Sequence, residues 1–376
     1  MISFLRKIFK PKYQTLNLIK IKANNIISNF NYLKKLQPQA EIFPVLKSNA
    51  YGHGLKEMCQ ILNKTSTPMV VVDSFPEAQI VYRYFKGSVL ILGEMPLKAY
   101  KYCKFKRTEF VIYNEETLRH LSKFGKKAKV HLFYNSGMNR EGIKDIVGFL
   151  ERSKKYLNRV EVSGFCSHMA SASIESELND LQVQNFSMAL DSVRSAGYSP
   201  HWIHIGNSAS SFIMKNNIFN AFRPGLSLYG HDPFSERNKN LKPALSLYSK
   251  VVSIQELQAG ESVSYDEEYR VVQASRVAVI PFGYFEGLNL NISNQAQFLV
   301  GQKEPFWALI AGRVCMNLTC LDVNNHEVSI GDQVEVISRQ QGEDNSAEHL
   351  AELSKQSIYE FLVKIQGSIR REIDWR

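Results

Sequence analysis

Eight short apolar runs recur between residues 42 and 228, at 42–47, 69–73, 88–92, 109–113, 129–134, 160–167, 202–205 and 221–228. Amphipathic or polar stretches such as 116–123 and 181–196 separate them. A short apolar run bounded by turn residues reads as a buried strand. Eight such strands, each followed by a helix or loop, make the count of a (β/α)8 barrel. A doubly wound sheet is the competing arrangement, but no GxGxxG follows the first run. A helix-like stretch at about 23–36 precedes the barrel and is expected to pack beneath it.

After Gly230 the pattern changes. Residues 248–265, 275–282, 296–299, 307–311, 318–323 and 328–338 are rich in Val and Ile and are separated by Gly, Asn and Asp, an all-β pattern. A helix-like tail is expected at about 347–366. Asp232-Pro233-Phe234 and Lys242-Pro243 punctuate a polar linker between the two regions. The expected architecture is therefore α/β plus β: an N-terminal (β/α)8 TIM barrel over 14–240 followed by a mainly β domain over 241–376. Residues 1–13 read as a basic extension. A chain of 376 residues exceeds the usual size of a single core, which agrees with two domains.

Composition narrows the function classes. No apolar run approaches the roughly 18 residues of a spanning helix. The five cysteines are scattered and lack CxxC spacing, which points to reduced thiols, a cytoplasmic setting and no structural zinc. The net charge of +10 is mostly lysine spread over helices and loops, with no basic helix or aromatic-basic alternation, so neither nucleic acid nor membrane is an expected partner.

The chemistry-bearing residues fall at the ends of the expected strands, where catalytic groups of such barrels collect. Lys47 ends the run 42–47, a place where its ammonium is expected to be poorly solvated and suited to Schiff-base chemistry. Asn135-Ser136-Gly137-Met138-Asn139-Arg140, His168, Asn207-Ser208 and Arg223-Pro224-Gly225 follow at later strand ends. Taken singly, His168 reads equally well as a hydrogen-bonded core histidine, and Arg223 as a loop arginine paired with a carboxylate.

Together these segments resemble the alanine racemase family. Val45-Leu46-Lys47-Ser48-Asn49-Ala50-Tyr51-Gly52-His53-Gly54 resembles its VKANAYGHG, and Ser136 to Ile143 its TGMxRxGI. Ser167-His168-Met169-Ala170 resembles THFA, His204 to Ala209 resembles HxxNSA, and Arg223 to Gly230 resembles RPGxxLYG. Downstream, Gly260 to Tyr265, Gly283 to Gly287 and Gly312 to Asn317 resemble GxxVSY, GYxDG and GRVCMD. The matches run in order from about residue 15 to the end.

The resemblance implies a pyridoxal 5′-phosphate enzyme that interconverts L- and D-alanine with two bases. Lys47 would bind the cofactor and act on one face; Tyr265, from the other subunit of a homodimer, would act on the opposite face. Tyr51, His168, Asn207, Ser208, Arg223, Gly225, Leu226 and Tyr359 would complete the cofactor site, with Arg223 at the pyridine nitrogen. Arg140, Tyr284 and Met316 would bound the substrate, and no metal is implied. The chain departs from the family at Phe133, where a lysine that orients the arginine is common, and at Asn135, Glu286 and Asn317, where aspartate is common. These changes keep open a broader racemase acting on serine or basic amino acids. A pyridoxal-phosphate decarboxylase and a non-catalytic cofactor carrier are more distant alternatives.

Overall fold

The structure is a computed structural model, and it describes residues 14–215, 218–234, 238–324 and 326–376. The basic extension expected at 1–13 lies outside the described residues. The described chain forms two compact units, one of residues 21–244 with 373–376, the other of residues 14–20 with 245–372.

In the first unit, strands Met69–Val72, Ser88–Ile91, Thr108–Ile112, Lys129–Phe133, Glu161–Cys166 and Trp202–His204 pair in parallel and in chain order. Glu41–Ile42 pairs in parallel with Ala221–Phe222. Backbone hydrogen bonds close the ring. Leu46 N–H donates to Val71 O at 2.7 Å, and Asn220 N–H donates to Ile203 O at 3.0 Å. Eight strands thus form a closed barrel, as the run count indicates. The first and eighth strands are shorter than their apolar runs. Residues 226–229 form a 3-10 turn instead of continuing the last strand.

Side chains alternate along strands, so every second residue points inward. Phe43, Val45, Met69, Val71, Leu90, Val111, Phe133, Cys166 and Ala221 fill the barrel interior. Helix Ala23–Leu36 spans the range that its periodicity indicates. Its buried Asn29 donates from Nδ2 to Leu228 O at 3.1 Å and Lys242 O at 2.9 Å, tying it to the end of the barrel segment.

The second unit is built on a sheet of nine strands. Their order is Ser253–Leu257, Ser275–Ile280, Thr319–Asn324, Phe306–Ile310, Gln297–Val300, Gln333–Ile337, Leu245–Lys250, Leu18–Lys22 and Arg370–Asp374. Three expectations change here. Residues 18–22 are a strand of this sheet, whereas the reading placed them at the start of the barrel domain. The run 248–265 yields two strands and then a turned segment, because Gly260, Ser264, Asp266 and Glu267 have positive φ that no strand accommodates. The tail is two helices, Ala347–Leu353 and Ile358–Lys364, divided at Lys355 (φ 55°), and a last strand follows.

Candidate active site

The barrel mouth is assembled from strand ends. Lys47 opens a turn in which Ser48, Asn49, Ala50 and Tyr51 all have left-handed φ of 51–55°. Each such residue costs about 1–2 kcal/mol outside glycine, so the turn persists only where its surroundings hold it. Ala50 N–H donates to Leu46 O at 2.8 Å, and Leu55 N–H donates to Asn49 Oδ1 at 3.0 Å. Glu77 adds the outer clamp, accepting from Ser48 N–H at 2.7 Å and from Asp73 N–H at 2.9 Å. Ser74-Phe75-Pro76-Glu77 has the spacing of a capping box, a signal that sequence reasoning passed over. Here the glutamate bonds a neighbouring strand end instead of its own cap.

Lys47 Nζ lies 3.9 Å from Asp73 Oδ1, with 40% of its side chain exposed. The expectation of a poorly solvated ammonium is corrected: the amine faces an open mouth beside a carboxylate.

His168 and Arg223 follow on the far side. Arg223 is buried; Nη2 donates to Ser167 O at 2.6 Å and lies 3.3 Å from His168 Nδ1, while Nη1 bonds His204. Burial pushes the His168 imidazole down to about 3, and the positive charges of Arg223, Arg140 and Lys47 push it the same way. His168 is therefore neutral at ordinary pH, and three of the four cationic and imidazole groups expected at this mouth act on the fourth.

Arg140 stands on the loop after strand Lys129–Phe133. Asn135 shapes that loop by accepting from Gly137 N–H at 3.2 Å and Asn139 N–H at 3.0 Å. Phe133 is buried and packs on Tyr113 at 5.0 Å between ring centroids, so it offers Arg140 nothing polar. Glu141 takes that part, with its Oε1 2.7 Å from Arg140 Nη2 and 3.2 Å from Nε. The residue next in sequence thus supplies the carboxylate contact, which the motif reading did not identify.

A separate polar cluster forms around Ser208. Its Oγ accepts from Gly225 N–H at 3.1 Å and Ser227 N–H at 3.2 Å. Leu226 begins the 3-10 turn of this wall. A Cβ on Gly225 would lie 2.5 Å from the Tyr51 hydroxyl, so only glycine lets that hydroxyl approach the turn. Tyr51 is held by its ring contact with Tyr229, whose hydroxyl donates to Val45 O at 2.8 Å. Converging amides and hydroxyls without a cation suit an anion such as phosphate. Asn207 is turned inward on its own segment, where Oδ1 accepts from Ser210 N–H and Oγ at 3.1 Å.

In the second unit, Tyr265 stands at the head of a short turn with 64% of its surface exposed. Ser264 beneath it (φ 66°) donates from Oγ to Arg313 O at 2.7 Å, and Arg313 pairs with Asp266. Met316 and Tyr284 are also exposed. Tyr284 N–H donates to Cys315 O at 3.0 Å, and the Ser264 hydroxyl lies 3.3 Å from Cys315 Sγ, which joins the three loops into one surface. Two family departures meet here, since Asn317 Nδ2 donates to Glu286 Oε1 at 2.8 Å. Tyr359 lies on helix Ile358–Lys364 with 43% of its surface exposed, and partial desolvation raises its phenol above the ordinary value.

Comparison with known proteins identifies the family. The model of the alanine racemase N-terminal domain matches residues 21–233, and that of the C-terminal domain matches residues 244–373. An alanine racemase of Borreliella burgdorferi is 33% identical over 365 residues, covering 92% of this chain and 94% of the relative. The crystal structure of the Bacillus anthracis alanine racemase with bound L-Ala-P superposes with a TM-score of 0.86 at 27% identity, covering 97% of this chain and 96% of that one. The Bartonella henselae alanine racemase with covalently bound pyridoxal phosphate shares the fold, with a TM-score of 0.83 at 20% identity, covering 96% of this chain and all of that one. With both domain models matched in order along one chain, the protein belongs to the alanine racemase family, a family of pyridoxal-phosphate-dependent isomerases.

Proposed function

We propose that this chain interconverts L- and D-alanine, with pyridoxal 5′-phosphate held at the barrel mouth and each site completed by a second copy of the chain. The observation that carries the reading is the convergence of Lys47, Arg140 and Arg223 on a neutral His168 at the barrel strand ends. The residues fit the cofactor. The Tyr51 hydroxyl, Ser208 and the turn at Gly225 would hold its phosphate, Lys47 Nζ would offer the attachment point, and Arg223 would meet the ring nitrogen.

When bound, the cofactor supplies an electron sink for the carbon that bears the α-proton. Lys47, freed by the incoming amine, takes or returns that proton on one face. The partner subunit's Tyr265 does so on the other; its exposure on a strained turn supports presentation to a partner. Arg223, which keeps its proton, would offer the ring nitrogen a hydrogen bond without protonating it, which favours proton return over side reactions. Neutral His168 would border the cofactor without adding charge. Arg140, steadied by Glu141, positions the substrate carboxylate. The partner subunit's Tyr284 and the partner subunit's Met316 close the pocket around a methyl-sized side chain. In a cytoplasmic setting the product D-alanine would serve peptidoglycan synthesis.

Borohydride treatment of the cofactor-loaded protein tests the attachment: a pyridoxyl group should appear on the peptide bearing Lys47. Exchange of the α-proton in deuterated water, followed for L- and D-amino acids, tests the substrate. Fastest exchange with alanine is expected. Faster exchange with serine, lysine or arginine would replace alanine by the broader reading, and carbon dioxide release would replace racemisation by decarboxylation.

A further inference from the structure

Beneath the mouth, side chains that the proposed chemistry does not use continue from Arg223 as a polar chain through the barrel. Arg223 Nη1 bonds His204 Nδ1, and His204 Nε2 lies 2.8 Å from His131 Nδ1. His131 Nε2 lies 2.8 Å from Glu109 Oε2, and Ser163 Oγ donates to the same oxygen at 2.6 Å. All five residues are buried. They come from consecutive barrel strands, and Glu109 and His131 sit two residues before Val111 and Phe133 of the apolar interior. Space for His131 is built in, because a Cβ on Gly164 would lie 2.2 Å from its ring.

The two ends fix the direction of every bond between them. A guanidinium only donates, so His204 Nδ1 accepts and its proton is on Nε2. That proton is given to His131 Nδ1, which leaves the His131 proton on Nε2, aimed at the carboxylate. Reversal is excluded, since Arg223 cannot accept and ionised Glu109 cannot donate. Burial alone would raise the Glu109 carboxyl, but hydrogen bonds from His131 and Ser163 more than offset it and keep it anionic. Among the described residues no carboxylate lies within ion-pair distance of Arg223. Glu109 is thus the anion that hydrogen bonding links to this buried cation.

A metal reading of the same region fails. His131, His204 and Cys166 place donor atoms within 4.8 Å of one another. The facing imidazole nitrogens, however, are spent on each other, and burial pushes the Cys166 thiol up to about 12.

We propose that Glu109 is a positioning residue, which, through His131 and His204, locks both imidazole tautomers and fixes the plane of the Arg223 guanidinium that faces the cofactor ring. The proposal rests on the functional reading above for what Arg223 faces, while the tautomer lock stands on the hydrogen bonds alone.

The test compares full-length, cofactor-loaded wild type with Glu109→Gln and Glu109→Leu, each labelled with 15N-histidine. In the wild type, His131 and His204 should both show protonated Nε2 and bare Nδ1. In Glu109→Leu the His131 signal should become mixed or pH-dependent, and the cofactor's visible band should shift. Its kcat should fall roughly tenfold or more with little change in KM, the size typical for loss of an outer partner. Glu109→Gln, which keeps an acceptor without the charge, should fall between the two, and it carries the comparison if the leucine variant does not fold. Mixed tautomers in the wild type, or a Glu109→Leu protein with unaltered histidine signals and band, would overturn the relay. A wild type that shows locked tautomers but no cofactor band would instead overturn the functional reading.

Discussion

The barrel mouth and the loop surface of the β unit hold their functional residues in opposite ways. At the mouth, Arg223 and Ser208 are buried and tied by hydrogen bonds to neighbouring strand ends, with His168 between them. On the β unit, Tyr265, Tyr284 and Met316 are exposed, and strained backbone on the turn before and after Tyr265 does the holding. A buried, hydrogen-bonded cluster is complete without a partner; an exposed aromatic surface on a rigid turn is shaped to be covered. On the proposed reading, cofactor binding falls to the mouth and the second proton-transfer face to another copy of the chain.

Substitutions that separate the two regions test this contrast. Lys47→Ala should abolish both cofactor attachment and racemisation, lowering the rate by at least about a thousandfold, read by absorbance and by D-alanine formation. Tyr265→Phe should lower the rate by roughly 10²–10⁴-fold yet retain the cofactor at wild-type occupancy. Equal loss of cofactor in both variants would break the division of labour. Gly225→Ala places a methyl against the Tyr51 hydroxyl and should weaken cofactor binding by about 10–100-fold, measured by titration of the apoprotein.

A pH measurement sharpens the picture of the mouth. The folded protein holds His168 and His204 below the ordinary imidazole value, chiefly by burial and then by Arg223. The unfolded chain binds protons there that the native state refuses, so stability is lost as pH falls below about 6.5. Each histidine should contribute about 1 kcal/mol or more of loss between pH 7 and 5, less for the partly accessible His168. Urea unfolding at the two pH values reads this, and His168→Phe should flatten the slope. The smallest effect is expected from Glu141→Gln: its pair with Arg140 is exposed, worth under about 1 kcal/mol, and should raise KM by only a few fold.

Much of the barrel was legible because its strands are short apolar runs that no other element explains, and the mouth because polar motifs fall just past those runs. The turn at 48–51 was not legible, since nothing in Ser48-Asn49-Ala50-Tyr51 by itself demands left-handed backbone; Glu77 clamps it from outside, and Asn49 braces it only once the Leu55 N–H is in place. Residues 18–22 read as part of the barrel because their pairing in the distant sheet is a long-range fact with no local mark. The tail split at Lys355 for a similar reason, as one residue with positive φ interrupts an otherwise helical pattern. The relay did leave a trace. Glu109 and His131 are polar residues inside apolar runs, at positions that the period-two pattern directs inward. Only the fold shows that these positions meet.

The claim that one copy's barrel mouth works with another copy's tyrosine has a direct measurement. Lys47→Ala and Tyr265→Phe proteins, each inactive alone, are unfolded together, refolded at equal concentration and assayed for racemisation. Hybrid dimers carry one site with both native residues, so random pairing should restore about one quarter of wild-type activity. If hybrid dimers form and the mixture stays as inactive as its components, Lys47 and Tyr265 do not act across a subunit boundary, and the account of a shared site is contradicted.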